Sequence, residues 1–339
     1  VTSGSPGLRN VADVPVGVAV DAACLDEPAY VRTLLREFSA VTPENAMKWG
    51  PVHPAERVWD FGTSDRIVAF AEAHGLRVHG HTLVWHEQLP AWVAPALSTR
   101  EAERVLAEHI ETPVGRYEGR IGSWDVVNEI MGDGGRLRGT VFLRAFGRDY
   151  LAAAFRCAHA ADPSARLYYN DYGIEAGGAK SDAAYALVRR LVEDGVPIHG
   201  VGLEMHLRAA RPPAPAAVRA NLARLAALGL EVRISEMDVR IRSVRRGDPL
   251  ARQRVAYRAS IAACIGQPGF AGVTFWGVSD RHSWIHARFG EDAPLLFDRE
   301  YAPKPAYYGA RDALTSANVS AQRLGGRPAS TPEHARDRK

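Results

Sequence analysis

Two glutamates stand at the ends of short apolar runs in this chain: Glu129 closes SWDVVNE and Glu236 ends EVRISE. Carboxyl groups at the ends of β-rich runs sit on rigid backbone and can keep a fixed separation. Such a pair can cleave an acetal between sugars. One group protonates the departing oxygen, and the other stabilises or captures the oxocarbenium-like centre. The neighbouring residues fit that chemistry. Asn128 places an amide beside Glu129, while His206 and Asp238 could set the orientation and charge of Glu236. Asp238 shares the strand face of Glu236 through the two-residue period. Trp49, Trp85, Trp276 and Trp284 lie at or just beyond other run ends. Indoles pack on the apolar C–H faces of sugar rings. Asn45, Lys48, Gln88 and Asn170 offer hydrogen bonds to hydroxyls from similar positions.

Other chemistries have less behind them. No GxGxxG follows a β-rich run and no GxxxxGK[ST] occurs, so no nucleotide cofactor is expected. His79 and His81 share one strand face, and His206 and Asp280 could complete a zinc or iron site with them. The competing reading makes these histidines hydrogen-bond donors in a polar pocket, and no metal or other cofactor is expected. Cys24, Cys157 and Cys264 have no CxxC spacing and read as buried small hydrophobes.

The elements that must position these groups alternate along the chain. Short β-rich runs cover residues 16–20, 38–42, 77–85, 121–128, 166–170, 198–206, 231–236 and 271–276. Helical spacing marks 99–117, 141–160, 181–194, 216–228 and 249–264. Strands alternating with helices predict an α/β fold with a parallel sheet, either doubly wound or closed. Almost every run ends in polar or aromatic groups, and a barrel collects all eight strand ends on one face. An open sheet uses mainly one crevice. The predicted architecture is therefore a single (β/α)8 TIM barrel.

The chain has 339 residues, 42 Lys+Arg against 39 Asp+Glu, and a formal net charge of +3. That balance gives no reason to expect nucleic acid or an anionic membrane as partner. Residues 259–279 carry no charge, but Gly266-Gln267-Pro268-Gly269 breaks the run into helix end, turn and strand rather than a span. The predicted organisation is an N-terminal extension (1–13), a catalytic barrel (14–315) and a C-terminal extension (316–339), disordered from about residue 325. The opening VTSGSPG, with no initiator Met, reads as a mature or trimmed chain.

The segments TPENAMKW, GHTLVWHEQLPAWV, WDVVNE, LYYNDY, GVGLEMHL, ISEMDVRI, TFWGVSDRHSW, PLLFD and KPAYYG occur in this order. Together they closely resemble glycoside hydrolase family 10, the endo-1,4-β-xylanases, over residues 14–314. The resemblance implies hydrolysis of xylan and xylooligosaccharides by a secreted monomer through a retaining double displacement. Glu129 is then the general acid/base and Glu236 the nucleophile, with carboxyl groups about 5–5.5 Å apart. It also implies that Asn128 binds the sugar 2-hydroxyl, that His206 partners the nucleophile and that Asp238 supports them. Glu44, Asn45, Lys48, His81, Trp85, Gln88 and Trp276 would form the floor and walls of the glycone subsites, with Asn170, Tyr172 and Glu204 joining the substrate-binding set. Trp284 resembles a lid that leaves little room for a hydroxymethyl group.

Three positions depart from the family pattern. Glu204 stands where Gln is usual, which brings a third carboxyl group toward the pair. It is expected either to hold a proton or to pair with Arg240 or Arg208. Ala46 replaces a usual Glu, and Gly173 a usual Asn.

Overall fold

The run Val16–Val20, of sequence VGVAV, is buried at all five positions. A strand with apolar residues on both faces belongs inside a parallel sheet covered on each side. The computed structural model describes residues 6–93 and 97–325, and it builds such a sheet. Its strands are β1 (Val16–Val20), β2 (Ala40–Pro43), β3 (Arg77–Gly80), β4 (Ser123–Asn128) and β5 (Arg166–Asp171). They continue with β6 (Gly200–Leu203), β7 (His206–Arg208), β8 (Glu231–Arg240) and β9 (Phe270–Phe275). All pairings between these strands are parallel. β9 returns to β1, with Val18 opposite Phe275, and β6 pairs with β8, so the sheet closes on itself.

β6 and β7 lie one after the other along β8: Gly200 faces Glu231, and His206 faces Asp238. They are two pieces of one stave, interrupted at Glu204 and Met205, where Met205 takes φ 60°. Eight staves alternate with outer helices, and the fold is a (β/α)8 TIM barrel. The interruption matters, because it lets Glu204 and His206 reach the site from adjoining turns of one strand.

Three elements differ from the sequence expectation. The run at 77–85 leaves the sheet at Gly80, and Val84 returns only as an isolated bridge to Val127. The helical pattern at 141–160 is two helices, Val141–Phe146 and Asp149–Ala161. Gly147, at φ 69° and ψ −157°, ends the first of them. The strand that starts at Glu231 runs on to Arg240, because β7 continues to pair with it. The uncharged stretch at 259–279 is a helix ending at Cys264, then Gly266 and Gly269 at positive φ, then β9. Among the described residues no helix is long and apolar enough to cross a membrane.

Both ends of the described chain pack on the barrel. Residues 8–11, counted above with the N-terminal extension, form a short helix whose Leu8 is fully buried. The Leu8 amide donates to the buried Glu37 carboxylate at 2.9 Å, and the Tyr307 hydroxyl donates to the same oxygen at 3.1 Å. Tyr307 belongs to the helix Pro305–Gly325, which passes residue 315 and packs along Pro249–Cys264. The tail expected to be disordered lies, beyond Gly325, outside the described residues.

On the helix-facing side of the sheet, toward Tyr117, Trp124 of β4 is fully buried and lies directly over Gly80 of β3; a Cβ at Gly80 would sit 2.1 Å from the indole. A rigid ring cannot move aside as the tip of a flexible chain can. Gly80→Ala should therefore destabilise the fold by about 2 kcal/mol through overpacking. A chemical-denaturation midpoint equal to that of the parent would refute the packing argument.

Candidate active site

The C-terminal ends of the staves open into a cleft of about 910 Å³. Glu44, Asn45 and Lys48 line it from the segment after β2, and His81, Trp85 and Gln88 from the segment after β3. Asn128 and Glu129 come from the end of β4, and Tyr172 from just past β5. Glu204 and His206 come from the sixth stave, Glu236 from β8, and Trp276 and Trp284 from beyond β9. Groups more than 200 positions apart in sequence thus meet because parallel strands all end on the same face.

Neighbouring backbone holds both glutamates. The Glu129 amide donates to the Asn170 carbonyl at 2.8 Å, and the Glu236 amide to the Glu204 carbonyl at 3.2 Å. Glu129 has φ 49°, a left-handed conformation that turns the chain out of β4. The Arg138 guanidinium braces this turn, donating to the Glu129 carbonyl at 2.7 Å and to the Tyr172 hydroxyl at 2.6 Å.

Below the cleft floor a polar network carries Glu236. Asn170 is fully buried and does not line the cleft, which corrects its expected place among the sugar-contacting groups. Its Nδ2 donates to Glu236 Oε1 at 2.7 Å and to Asn128 Oδ1 at 2.8 Å, and lies 3.2 Å from Glu204 Oε1. Ser235 donates to Asn170 Oδ1 at 2.6 Å and fixes the direction of the amide. His206 joins two carboxylates, with Nε2 at 3.2 Å from Glu236 Oε2 and Nδ1 at 3.0 Å from Asp238 Oδ2. The Trp284 indole N–H donates to that same Asp238 oxygen at 2.8 Å, so the lid-like ring is tied to the network. Asp238, like Asn170, lies beneath the floor.

These contacts drive the two glutamates apart electrostatically. Burial pushes the Glu129 carboxyl up, and the charge of Glu236 adds to that shift. The Trp85 indole N–H, from the segment beside the end of β4, opposes it. Burial presses on Glu236 too, but His81, whose Nδ1 lies 3.8 Å from Oε1, and His206 overcome it and hold this carboxyl below its ordinary value. Carboxyl groups pushed in opposite directions are the mark of an acid and an anion sharing one site.

Burial works against the His206 charge, yet Asp238 and then Glu236 outweigh it and raise the imidazole to about 10. Glu44 rises to about 7, chiefly by burial, and Lys48 falls for the same reason. The Lys48 ammonium donates to Asn45 Oδ1 at 2.9 Å and sits 4.6 Å from the centre of the Trp85 ring.

The oxygen and nitrogen atoms of Glu204, His206 and Glu236 are close enough to chelate a cation. Both His206 nitrogens are already engaged, Nε2 with Glu236 and Nδ1 with Asp238. The metal set considered from the sequence does not assemble. His79 sits below the floor against Asp125, at 3.0 Å, and Arg233, at 2.7 Å, and Asp280 pairs with the buried Lys304 at 2.7 Å.

The family comparison follows this geometry. The model of glycosyl hydrolase family 10 matches residues 8–313. The chain belongs to that family. Relatives include endo-1,4-beta-xylanase B of Thermotoga neapolitana, 38% identical over 85% of this chain and 84% of its own length. Beta-1,4-xylanase of Dictyoglomus thermophilum is 39% identical over 89% and 90%. Among solved structures, native xylanase 10B of Thermotoga maritima matches with a TM-score of 0.89 at 39% identity, covering 93% of this chain and 99% of the other. Xylanase 10B of Thermotoga petrophila, solved in complex with xylobiose, matches equally well. As a member of family 10 the chain is a glycoside hydrolase.

Two sequence readings change at the site. Trp49 is not a cleft residue: it is 2% exposed and stacks on His109 at 3.6 Å between ring centres. Neither Arg240 nor Arg208 pairs with Glu204; Arg240 lies 3.5 Å from Asp292 and over the Phe289 ring. Sequence reasoning passed over Arg138, Glu175 and Phe289, which also line the cleft. Arg138 and Glu175 lie in loops, where no strand period marks them, and Phe289 ends the short helix Ile285–Phe289. Gly173 has φ 67°, a left-handed conformation that suits Gly or Asn better than most residues.

Asp238→Asn keeps the shape of the network and removes the charge that keeps His206 protonated. Nitrogen NMR at about pH 8 should show an imidazolium in the parent and a neutral ring in the variant. The folded value, about 10, exceeds the ordinary 6.5. His206 therefore stabilises the parent fully below 6.5, and this contribution disappears as the pH rises through about 10. The variant's stability should lack that decline. A His206 ring already neutral in the parent at about pH 8 would contradict the assignment.

Proposed function

We propose that this chain is an endo-1,4-β-xylanase that hydrolyses xylan with retention of anomeric configuration. The observation that carries the reading is the opposed titration of Glu129 and Glu236 on strand ends of a family 10 barrel. The charge of Glu236 reaches Glu129, as two carboxyl groups facing one glycosidic linkage require. The names of the relatives supply the substrate class.

In the first step an oxygen of Glu236 attacks the anomeric carbon. The glycosidic C–O bond breaks, and the Glu129 proton passes to the departing oxygen. Esterification removes the charge of Glu236, so Glu129 loses a reason to stay protonated. It then takes a proton from the water that attacks the same carbon, and the ester bond breaks to return Glu236 as carboxylate. His206 and Asn170 hold Glu236 from beneath and leave its upper side free for the sugar. Trp284, anchored through Asp238 and 5.0 Å from the His206 ring, crowds the position where a hydroxymethyl group would project. That crowding favours xylose over glucose. A polymeric substrate fits action outside the cell by a single copy of the chain, although one family 10 neighbour, from Thermoanaerobacterium saccharolyticum, is titled an intracellular xylanase.

Xylohexaose hydrolysis followed by proton NMR should release β-configured reducing ends first, with xylan turned over in preference to carboxymethylcellulose. Initial α-product, or preference for the glucan, would sink the proposal. Glu236→Ala should lose at least about 10⁴-fold in kcat. Glu129→Ala should retain attack on aryl xylobiosides with good leaving groups but stall at the ester. Added azide should then restore turnover and give a β-glycosyl azide.

Glu204 deepens the same reading. Asn170 Nδ2 has two hydrogens and three oxygens within reach, and the two shorter contacts go to Glu236 and Asn128. Burial, with Glu236 and Glu129 adding to it, pushes the Glu204 carboxyl well above its ordinary value. Glu204 therefore carries its own proton and acts as the neutral amide it replaces. The acidic limb of the pH–rate profile, set by Glu236, should be the same in the parent and in Glu204→Gln. The parent's basic limb should show a second ionisation that the variant lacks. Superimposable basic limbs would remove any electrostatic part for this residue.

A further inference from the structure

Beyond the cleft, a second group of ionisable side chains gathers at the seam where the barrel closes. Cys24 and Glu27 lie three residues apart across the end of the 3₁₀ segment Ala22–Asp26, which follows β1. The Glu27 amide closes that turn on the Cys24 carbonyl at 3.1 Å. Three residues make one 3₁₀ turn, so both side chains project from the same face. His282 ends a second 3₁₀ segment, Asp280–His282, beyond β9. β1 and β9 are hydrogen-bonded neighbours, and the two segments therefore meet.

The Cys24 sulfur, a Glu27 oxygen and a His282 ring nitrogen all lie within 4.8 Å of one another. His282 Nε2 is 3.0 Å from Glu27 Oε1, while the other Glu27 oxygen accepts from the Tyr301 hydroxyl at 2.9 Å. None of the three side chains lines the catalytic cleft.

We propose that Cys24, Glu27 and His282 form a zinc-binding site that ties the segment after the first stave to the segment after the last. The mixed sulfur, nitrogen and oxygen set suits this borderline-soft cation, whereas calcium and magnesium take oxygen ligands. Three protein ligands leave a fourth position for water, and Glu27 and His282 are partly exposed, which gives a path of entry. Tyr301 holds the carboxylate as outer hydrogen bonds commonly do around metal ligands.

The surroundings of the thiol agree. Cys24 is buried, and the acidic side chains of Asp21, Glu27 and Glu44 lie near it, a setting that favours a cation. Arg281, 4.0 Å from Glu27, is a neighbouring cation that works against the metal. On binding, the thiol proton leaves to solvent, the sulfur–zinc bond forms, and the cation balances the local negative charge.

Cobalt(II), added to the chelator-treated full chain, should produce a thiolate-to-cobalt charge-transfer band and the intense visible bands of a tetrahedral site. One equivalent of zinc should abolish both. Cys24→Ser should lose the charge-transfer band, although Cys157 and Cys264 remain. Zinc at about a hundredfold excess over its Kd should raise the parent's Tm by about 4 °C. It should leave the Tm of Cys24→Ser and His282→Ala unchanged. Both variants should keep the parent's xylan-hydrolysing rate without metal, or its activity on any glycan that the parent cleaves, which confirms that they fold. A parent spectrum without sulfur ligation, or one that persists in Cys24→Ser, would overturn the site. Neither result depends on which polysaccharide is the substrate.

Discussion

Keeping Glu236 ionised inside the barrel is the constraint on which the rest of the site depends. A buried carboxylate is costly unless paired and hydrogen-bonded. Here the cost is met from two sides, by the Asn170 amide on one oxygen and the His206 imidazolium on the other. The imidazolium would itself be unstable at this depth without Asp238, and Asp238 takes a further donor from Trp284. The chain of partners runs from the roof of the cleft to the nucleophile position, so the group that shapes the sugar pocket and the group that holds the charge are physically joined. Trp284 thus both lines the cleft and donates a hydrogen bond to a buried carboxylate.

Closure of the barrel is what makes such a network affordable. Its members come from β4, β5, the sixth stave and β8, and each backbone position is fixed by pairing on both sides. Asn170 shows why rigidity matters. One amide group meets oxygens from three other strands, and its orientation is set by Ser235. A shift of one strand by half an ångström would break one of these bonds and leave a buried group without a partner. The interruption of the sixth stave at Met205 is an irregularity the arrangement uses, as is the left-handed turn at Glu129. The interruption brings Glu204 and His206 close to Glu236 together.

Much of this was legible in the sequence, for a physical reason. Strand ends in a parallel barrel all point to one face, so an apolar run followed by a polar or aromatic residue already marks a cleft position. Glu129, Glu236, Trp85 and Trp276 could be placed that way. The same rule misplaced Trp49, because a residue just past a strand can turn into the helical layer, as this one does against His109. Depth was not legible. Asn170 and Asp238 stand on strand positions like those of their neighbours, and only packing puts them under the floor rather than in the wall. Arg138 and Glu175 were invisible because loops have no period from which a facing direction can be read. Cys24 read as a small hydrophobe; burial agrees, but its neighbours 27 and 282 come together only when the first and last staves pair.

Glu204 makes the charge arithmetic of the cleft concrete. With Glu236 and Asp238 ionised and His206 protonated, the buried network already carries one excess negative charge. A further carboxylate among these groups would meet two like charges in a medium that screens poorly. Both Glu129 and Glu204 respond by holding protons, and a protonated glutamate has nearly the size, shape and donor–acceptor pattern of a glutamine. The substitution is therefore almost silent while the proton stays and consequential once it leaves. Glu129 and Glu204 both line the cleft, but Glu129 is half-buried, whereas Glu204 is 1% exposed and lies between Asn170 and His206. Both carboxyl groups are pushed upward, so exposure rather than the direction of the shift separates them.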